Sequence, residues 1–138
     1  HPDVRAVISV NKGLVTQASA AIPVVPLYFA ILYKVMKKAG NHENCIQQIA
    51  RLFTQKLYTP EGFQTDENGF IRMDDYELMP EIQEEVKKCW KAVTTDTVKE
   101  YCDIDGYWED FYHMFGFRYE DIDYTQDIEA EVEIDGIV

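Results

Sequence analysis

The feature that most constrains the fold is a short apolar run near the start of the chain. Val4–Val10, "VRAVISV", is rich in β-branched residues and stops at Asn11, Lys12 and Gly13, so it predicts a buried strand that ends in a loop. The rest of the chain predicts four or five helices and one hairpin. Because a buried strand needs partners for its N–H and C=O groups, we expect its neighbours in the sheet to come from outside these 138 residues.

Two helices are predicted after this loop. Residues 16–39 read as a loop followed by a helix, with Pro26 in the first helical turn and Gly40 at the C-terminal stop. A second helix is predicted over residues 42–58, with Asn41 as its N-terminal cap. The buried face of this second helix is predicted from apolar residues at helical spacing: Cys45, Ile49, Leu52 and Phe53.

The second half predicts one hairpin and further helices. Asn68 and Gly69 form the expected turn between two short extended pieces. An amphipathic helix is predicted over residues 80–93. Its predicted buried residues are Ile82, Val86, Trp90 and Val93. A short helix is expected to start at Thr95 or Asp96, and an aromatic helix is expected to end near Gly116.

Charge divides the chain into two parts. The net charge is −12, but residues 1–60 carry seven Lys and Arg against two Asp and Glu, whereas residues 61–138 carry six against 23. Nucleic-acid binding is therefore not expected for the chain as a whole, and an anionic small ligand would favour the first part. We expect the second part, including the acidic tail, to present a solvated surface.

Composition excludes several other classes. No apolar run reaches the roughly 18 residues of a membrane span. The sequence opens without Met or a signal peptide, so we expect that the N-terminus has been cut, either by processing or by the choice of the expressed segment. The three cysteines are scattered, which favours reduced thiols in the cytoplasm over a disulfide framework. Zinc is not supported, because His1, His42 and His113 lack ligand spacing.

The stretch "QTDENGFIRMDD" allows a calcium loop as an alternative. Gly69 takes the sixth position of such a loop, and Asp66, Asn68 and Asp75 take positions three, five and twelve. The first position is Gln64, which brings no charge, and the twelfth is Asp rather than the longer Glu. A simple hairpin is therefore the favoured interpretation.

The first long helix carries two patterns that could be functional. Tyr28 and Lys37 match the Tyr-x8-Lys spacing of some reductases, but nine residues at about 100° each place them on opposite faces of the helix, so the match is interpreted as chance. Val25, Phe29 and Tyr33 span an arc of about 80° on one face. This face is interpreted either as ordinary core or as the wall of an apolar ligand pocket.

The loop "GLVTQAS" is the candidate binding segment. Backbone N–H groups between a strand and a helix, together with the Thr16 hydroxyl, can hold a phosphate or a carboxamide. By spacing alone the signal is weak.

Several motifs in one order make the chain similar to a known family. They are "VNKGLVTQASAAIPVVPLY", "LYKVMK", "HENCIQQI", "IRMDDYEL", "VTTDTVKE", "GYWEDF" and "DIDYTQDI". Together they closely resemble the C-terminal third of the trans-2-enoyl-CoA reductases, which are also the V-type enoyl-acyl-carrier-protein reductases. The resemblance covers essentially the whole chain, and several motifs at consistent spacing make it specific.

The resemblance implies an α/β fold, in which this chain is the mainly helical C-terminal part of an enlarged Rossmann fold of the short-chain dehydrogenase/reductase type. One core strand and a small β-hairpin are expected within it. The implied activity is the NADH-dependent reduction of the double bond of a trans-2-enoyl-CoA or enoyl-acyl-carrier-protein in fatty-acid synthesis. The implied protein is a cytoplasmic monomer or weak dimer.

The resemblance also assigns site residues. Leu14, Val15 and Thr16 match the loop that meets the nicotinamide end of NADH. The residues that match the acyl pocket are Val25, Phe29, Tyr33 and Tyr107. On this basis residues 1–60 are expected to be the last part of the NADH-binding catalytic domain, and residues 61–138 an acidic C-terminal extension.

The chain also departs from the family pattern. The glycine-rich dinucleotide loop and the catalytic Tyr-x8-Lys of the family are expected upstream of residue 1, so the chain alone is predicted to be inactive. No flavin signature is seen in residues 90–138, and FAD is not predicted. A stand-alone acidic interaction module and a calcium-binding hairpin protein remain the alternatives.

Overall fold

The computed structural model describes residues 6–127. The elements follow one another as strand β1 (Ile8–Val10), α1 (Gln17–Ala21), α2 (Val25–Ala39), α3 (Cys45–Arg51), a π-helical segment (Leu52–Leu57), strand β2 (Phe70–Arg72), α4 (Pro80–Ala92), α5 (Val98–Tyr101) and α6 (Ile104–His113). The described part is therefore mainly helical, with a small sheet, as expected of part of an α/β fold.

The two strands form a parallel pair. Ile8, Ser9 and Val10 lie opposite Phe70, Ile71 and Arg72, and the Met73 N–H donates to the Val10 C=O at 2.8 Å. The predicted strand Val4–Val10 is thus shorter within the described residues, since residues 1–5 lie outside them. The expectation that all of its partners come from elsewhere was wrong, because the chain supplies one neighbour itself.

The predicted turn at Asn68 and Gly69 is present, but the hairpin pairing is not. The Gly69 N–H donates to the Asp66 C=O at 3.0 Å, and Gly69 has a φ of +84°, whereas Asn68 does not have a positive φ. One backbone bond, from the Asp66 N–H to the Phe70 C=O at 2.8 Å, closes the turn. The chain beyond the turn then pairs with β1, because the central residue of β2, Ile71, is buried there.

Helix α2 is the centre of the core. It packs against α1, α4 and α6. Seven of its residues are buried: Phe29, Ala30, Ile31, Leu32, Tyr33, Val35 and Met36. Pro26 lies in the first turn, and Gly40 ends the helix in the left-handed region at a φ of +76°, as predicted. A helix buried on this scale belongs to the interior rather than to the surface of a domain.

Helix α3 differs from its prediction in bounds and in buried face. It begins at Cys45 behind the cap Asn44, whose side chain accepts from the Gln47 N–H, and it continues into the π-helical segment. The buried residues are Gln48 and Arg51. The predicted face is largely exposed or half-buried, with Ile49 48% and Phe53 46% exposed, and Cys45 and Leu52 half-buried.

The remaining helices follow the predictions more closely. Ile82 and Val86 of α4 are buried, whereas Trp90 is 39% exposed and Val93 is half-buried. The expected short helix, α5, starts two or three residues later than predicted. Gly116 follows α6 with a φ of +80°. The predicted surface position of the acidic tail is tested only to residue 127, up to which the chain is mostly exposed.

Candidate functional site

The candidate site is the loop between β1 and α1, at the carboxyl end of a parallel strand. Thr16 caps α1 through a reciprocal pair: the Ser19 N–H donates to Thr16 Oγ1 at 3.0 Å, and the Thr16 N–H donates to Ser19 Oγ at 2.8 Å. Ser19 Oγ also donates to the Leu14 C=O at 3.1 Å. The predicted cofactor residue Thr16 therefore has a structural role in fixing the end of this loop.

The Gly13 peptide is held by a residue from the second half of the chain. The Gly13 N–H donates to Glu77 Oε2 at 2.6 Å, and the Tyr28 hydroxyl donates to Glu77 Oε1 at 2.6 Å. A side chain at Gly13 would force the Phe29 ring to move, because a Cβ would lie 2.5 Å from Cε1 of Phe29. The loop and α2 are thus in close contact at this point.

Tyr33 lies beneath the loop and is fully buried. Its hydroxyl accepts from the Val15 N–H at 3.0 Å and donates to the Gly13 C=O at 3.4 Å. The ring stacks on Phe29 with centroids 6.1 Å apart. Burial raises the pKa of Tyr33, so the hydroxyl stays protonated and serves as a fixed partner of the loop backbone.

Lys12 is a buried cation beside Tyr33, with 2% of its surface exposed. Its Nζ donates to the Gly13 C=O at 3.2 Å and lies 4.6 Å from the centroid of the Tyr33 ring. Burial lowers the pKa of this ammonium group to about 8, although Asp110, Glu77 and other groups partly oppose the shift. Among residues 6–127, Lys12 makes no ion pair.

The predicted acyl-pocket residues do not all meet in one cavity. Phe29 and Tyr33 pack under the loop, and Val25 is half-buried against the same core. Tyr107 is buried and lines an apolar cavity of about 210 Å³. The other residues that line this cavity are Pro26, Leu27, Ala30, Val98, Cys102, Ile104 and Trp108. The structure therefore places Tyr107 next to α2, but beside Ala30 rather than beside Phe29 in this cavity.

The residues of the other two sequence patterns, the Tyr-x8-Lys spacing and the calcium loop, make contacts that support the fold. Tyr28 binds Glu77, whereas Lys37 forms an ion pair of 2.7 Å with Asp103, so the two residues have separate partners. In the calcium alternative, Asp66 accepts from the Asn68 and Phe70 N–H groups. Asp75 is paired with Arg51 and Lys56. Within the described part of the chain, no group of three or more His, Cys, Asp or Glu side chains could hold a metal ion.

The loop has backbone groups that fit a nicotinamide. The bonds described above use the Val15 N–H and the Leu14 C=O, but no hydrogen bond to another described residue uses the Leu14 N–H or the Val15 C=O. A carboxamide offers one acceptor and two donors, which complement this unused pair. The Leu14 N–H, as a donor, and the Val15 C=O, as an acceptor, therefore suit the carboxamide of the expected nicotinamide cofactor.

Sequence reasoning missed Lys12 and Glu77 as parts of this site. Lys12 stands in the loop sequence itself and could have been noted as a charge directly after a buried strand. Glu77 lies 64 residues from Gly13, within an acidic stretch that gives no sign of which carboxylate turns inward. Only the tertiary structure brings it to the loop.

Two protein-family models match the chain. The model described as "Trans-2-enoyl-CoA reductase catalytic region" matches residues 1–58, and the one described as "Enoyl reductase FAD binding domain" matches residues 65–128.

Among the described residues, none of the helices combines the length and apolar character that a membrane crossing needs.

Curated relatives carry two related names. An enoyl-acyl-carrier-protein reductase (NADH) of Coxiella burnetii is 51% identical over 133 residues, which are 96% of this chain and 33% of the relative. One of Flavobacterium psychrophilum is 48% identical over 97% of this chain and 34% of the relative. A trans-2-enoyl-CoA reductase (NADH) of Ruminiclostridium cellulolyticum is 48% identical over 96% of this chain and 33% of the relative. The chain spans about a third of the length of these relatives.

Solved structures agree with these relatives. The crystal structure of the trans-2-enoyl-CoA reductase of Clostridium acetobutulicum in complex with NAD is 50% identical, with a TM-score of 0.80 over 91% of this chain and 32% of that chain. The Treponema denticola enzyme in complex with NAD is 48% identical, with a TM-score of 0.81 over 92% of this chain and 32% of that chain.

The flavin in the second family description does not fit the residues that the structure describes there. A dinucleotide is held by a glycine-rich turn between a strand and a helix. Between residues 65 and 127, Gly69 lies before β2 rather than after it, Gly106 packs against Lys37 and Asp103, and Gly116 follows the end of α6. No strand–turn–helix unit of this kind occurs in this described part, so no step of the chemistry is assigned to FAD.

Proposed function

This chain belongs to the enoyl reductase family as the C-terminal part of such a protein, and we propose that the longer protein reduces the trans-2 double bond of an enoyl thioester with NADH. The observation that carries the proposal is the loop at the end of β1, whose unused Leu14 N–H and Val15 C=O complement a nicotinamide carboxamide. The printed names of the relatives and the NAD complexes of the solved structures support the same chemistry.

In this proposal NADH supplies the hydride, and the chain orients the cofactor. Leu14, Val15 and Thr16 hold the nicotinamide end, and the rigidity of the loop comes from Tyr33, Glu77 and the cap of α1. The proton donor is proposed to be the family tyrosine, assisted by a lysine, both upstream of this chain. Residues 1–60 then complete the catalytic domain, and residues 61–138 form an extension that supports it.

The acyl group is proposed to contact one side of α2. Val25, Phe29 and Tyr33 form its wall, and Tyr107 closes the pocket from α6. The apolar cavity beside Tyr107 is lined by Ala30 of the same helix and not by these three residues, so it supports the Tyr107 end of the proposed pocket. Both carriers occur among the names of the relatives, so enoyl-CoA and enoyl-acyl-carrier-protein are the two substrates to compare. We expect a cytoplasmic monomer or weak dimer, in keeping with three free cysteines.

The oxidation of NADH in the presence of crotonyl-CoA tests this function. The longer protein should turn over substrate, whereas the 138-residue chain alone should match the rate without enzyme. Phe29→Ala in the longer protein should weaken the use of the enoyl substrate by about 1–3 kcal/mol and leave NADH binding almost unchanged. Turnover by the chain alone, or a longer protein without activity on either carrier, would overturn the proposal.

Thr16 needs a matched control, because its hydroxyl also caps α1. Thr16→Val should weaken NADH binding, and Ser19→Ala removes the reciprocal cap bond while leaving the Thr16 hydroxyl in place. If the two variants lose NADH affinity equally, the hydroxyl acts through the cap and does not contact the cofactor.

A further inference from the structure

The Glu77 carboxylate joins two distant parts of the fold. It lies in the connection between β2 and α4, and its two oxygens accept from the Gly13 N–H and from the Tyr28 hydroxyl, both at 2.6 Å. Gly13 belongs to the loop after β1, and Tyr28 belongs to α2. Both bonds are charge-assisted and short, so they fix the two segments relative to each other more firmly than neutral bonds would.

Two successive peptides are held at Gly13. Glu77 accepts from the Gly13 N–H, which belongs to the peptide between Lys12 and Gly13, while Lys12 Nζ and the Tyr33 hydroxyl donate to the Gly13 C=O, which belongs to the peptide between Gly13 and Leu14. Neither peptide plane can therefore rotate without breaking a bond to a side chain. The orientations of these two peptides determine the direction in which the next residues, Leu14 and Val15, leave the strand.

Tyr28 extends the same connection to the proposed substrate side. It precedes Phe29 on α2, and its ring contacts Phe29 with centroids 5.9 Å apart. Burial, together with Glu77, raises the pKa of Tyr28 to about 12, which keeps the hydroxyl available as a donor. A displacement of Glu77 would thus release the loop and alter the side of α2 on which Phe29 lies.

We propose that Glu77 is a positioning residue for the reductase reaction, which fixes the Gly13 peptide and α2 relative to each other so that Leu14 and Val15 meet the nicotinamide in one orientation. This inference rests on the proposed function. Glu77 brings a negative charge toward a site for an anionic cofactor, so its benefit must come from geometry rather than from attraction.

The test uses the longer protein with four single variants. Glu77→Ala removes both bonds. Glu77→Gln keeps both, because its Oε1 can accept from Gly13 and its Nε2 can donate to the Tyr28 oxygen. Tyr28→Phe removes only the link to α2. Glu84→Ala is the control, since it removes an exposed carboxylate from α4. The readouts are the dissociation constant of NADH by fluorescence titration, the KM and kcat for crotonyl-CoA, and the thermal midpoint.

Glu77→Ala should weaken NADH binding about tenfold, the scale of one lost bond to a charged group. Glu77→Gln should restore most of this affinity, and Glu84→Ala should bind NADH as the reference protein does. Tyr28→Phe should raise the KM for the enoyl substrate more than it weakens NADH binding. Normal NADH binding by Glu77→Ala, or an equal loss in Glu77→Gln, would overturn the inference.

Two further outcomes are decided separately. If Glu77→Ala does not fold, Tyr28→Phe decides the question, and an unchanged KM and NADH affinity in that variant would overturn the inference. If the reference protein itself neither binds NADH nor reduces crotonyl-CoA, the proposed function fails. If the reference protein is active and the Glu77 variants match it, only the positioning role fails.

Discussion

Helices α2 and α3 have similar sequence patterns and opposite environments. Both carry apolar residues at helical spacing, yet α2 buries seven residues in the core, whereas α3 leaves Ile49 about half exposed and the π-helical segment that continues it leaves Phe53 about half exposed. The cover of α2 comes from α4 and α6 of the same chain. An amphipathic pattern therefore shows that a face needs a partner, but it does not show where along the chain that partner lies.

The two regions also differ in the partners of their buried cations, Arg51 and Lys12. Arg51 on α3 has a full set of partners, with Glu43 at 2.8 Å, Asp75 at 2.9 Å and the Met73 C=O at 2.9 Å. Among the residues that the structure describes, Lys12 beside α2 contacts one carbonyl and one aromatic ring and forms no ion pair. A paired buried ion supports the fold around it, whereas an unpaired one is destabilising unless function requires it.

The largest effect is expected in α2. Leu32→Ala removes a side chain with no exposed surface and should cost about 4 kcal/mol in the free energy of unfolding, the upper part of the usual range. Urea unfolding of the longer protein measures this value. A cost of less than about 1 kcal/mol would show that α2 is not the centre of the core.

The next largest loss of stability is expected for Arg51→Met. It leaves Glu43 without its cation and Asp75 with Lys56 alone, and we expect a loss of about 3 kcal/mol, at the low end for buried pairs because Asp75 is one-third exposed and keeps one partner. Lys56→Met is the control, since Lys56 is more exposed and shares only Asp75. Equal losses in the two variants would contradict the special role of Arg51.

Replacing Lys12 with Met should change the free energy of unfolding in the opposite direction, so that the protein becomes more stable. The folded-state pKa of about 8 lies below the usual 10.5, so between these values the unfolded chain binds more protons and stability rises with pH. Lys12→Met should therefore stabilise the protein by about 2 kcal/mol below pH 8, and the advantage should vanish by about pH 10.5. A difference between variant and reference that is independent of pH would contradict this expectation.

The smallest effect is expected at Ile49, and it depends on context. In the 138-residue chain, Ile49→Ala should change stability by less than about 0.5 kcal/mol, because the side chain is half exposed. In the longer protein the cost should rise to about 2 kcal/mol if the rest of that protein covers this face of α3. Equal values in both contexts would mean that the face stays in water.

The sequence determined the local features whose causes are local. The helix stop at Gly40, the first turn at Pro26 and the turn at Gly69 follow from backbone preferences of single residues, and the structure has all three. The family also followed from the sequence, because several motifs stand in order at consistent spacing. The burial of Ile82 and Val86 was predictable because the covering helix, α2, is in the same chain.

Tertiary structure decided the features that depend on distant residues. The partner of β1 is β2, which the sequence pattern assigned to a hairpin, and the buried face of α3 is the polar one, because Arg51 finds Glu43, Asp75 and the Met73 carbonyl. The hydrogen bond from the Gly13 N–H to Glu77 joins residues that are 64 positions apart in the sequence. The periodicity of a sequence shows only the polarity of each position. The pairing of distant segments depends on which buried hydrogen-bond donors and acceptors meet, and this is decided only in the folded chain.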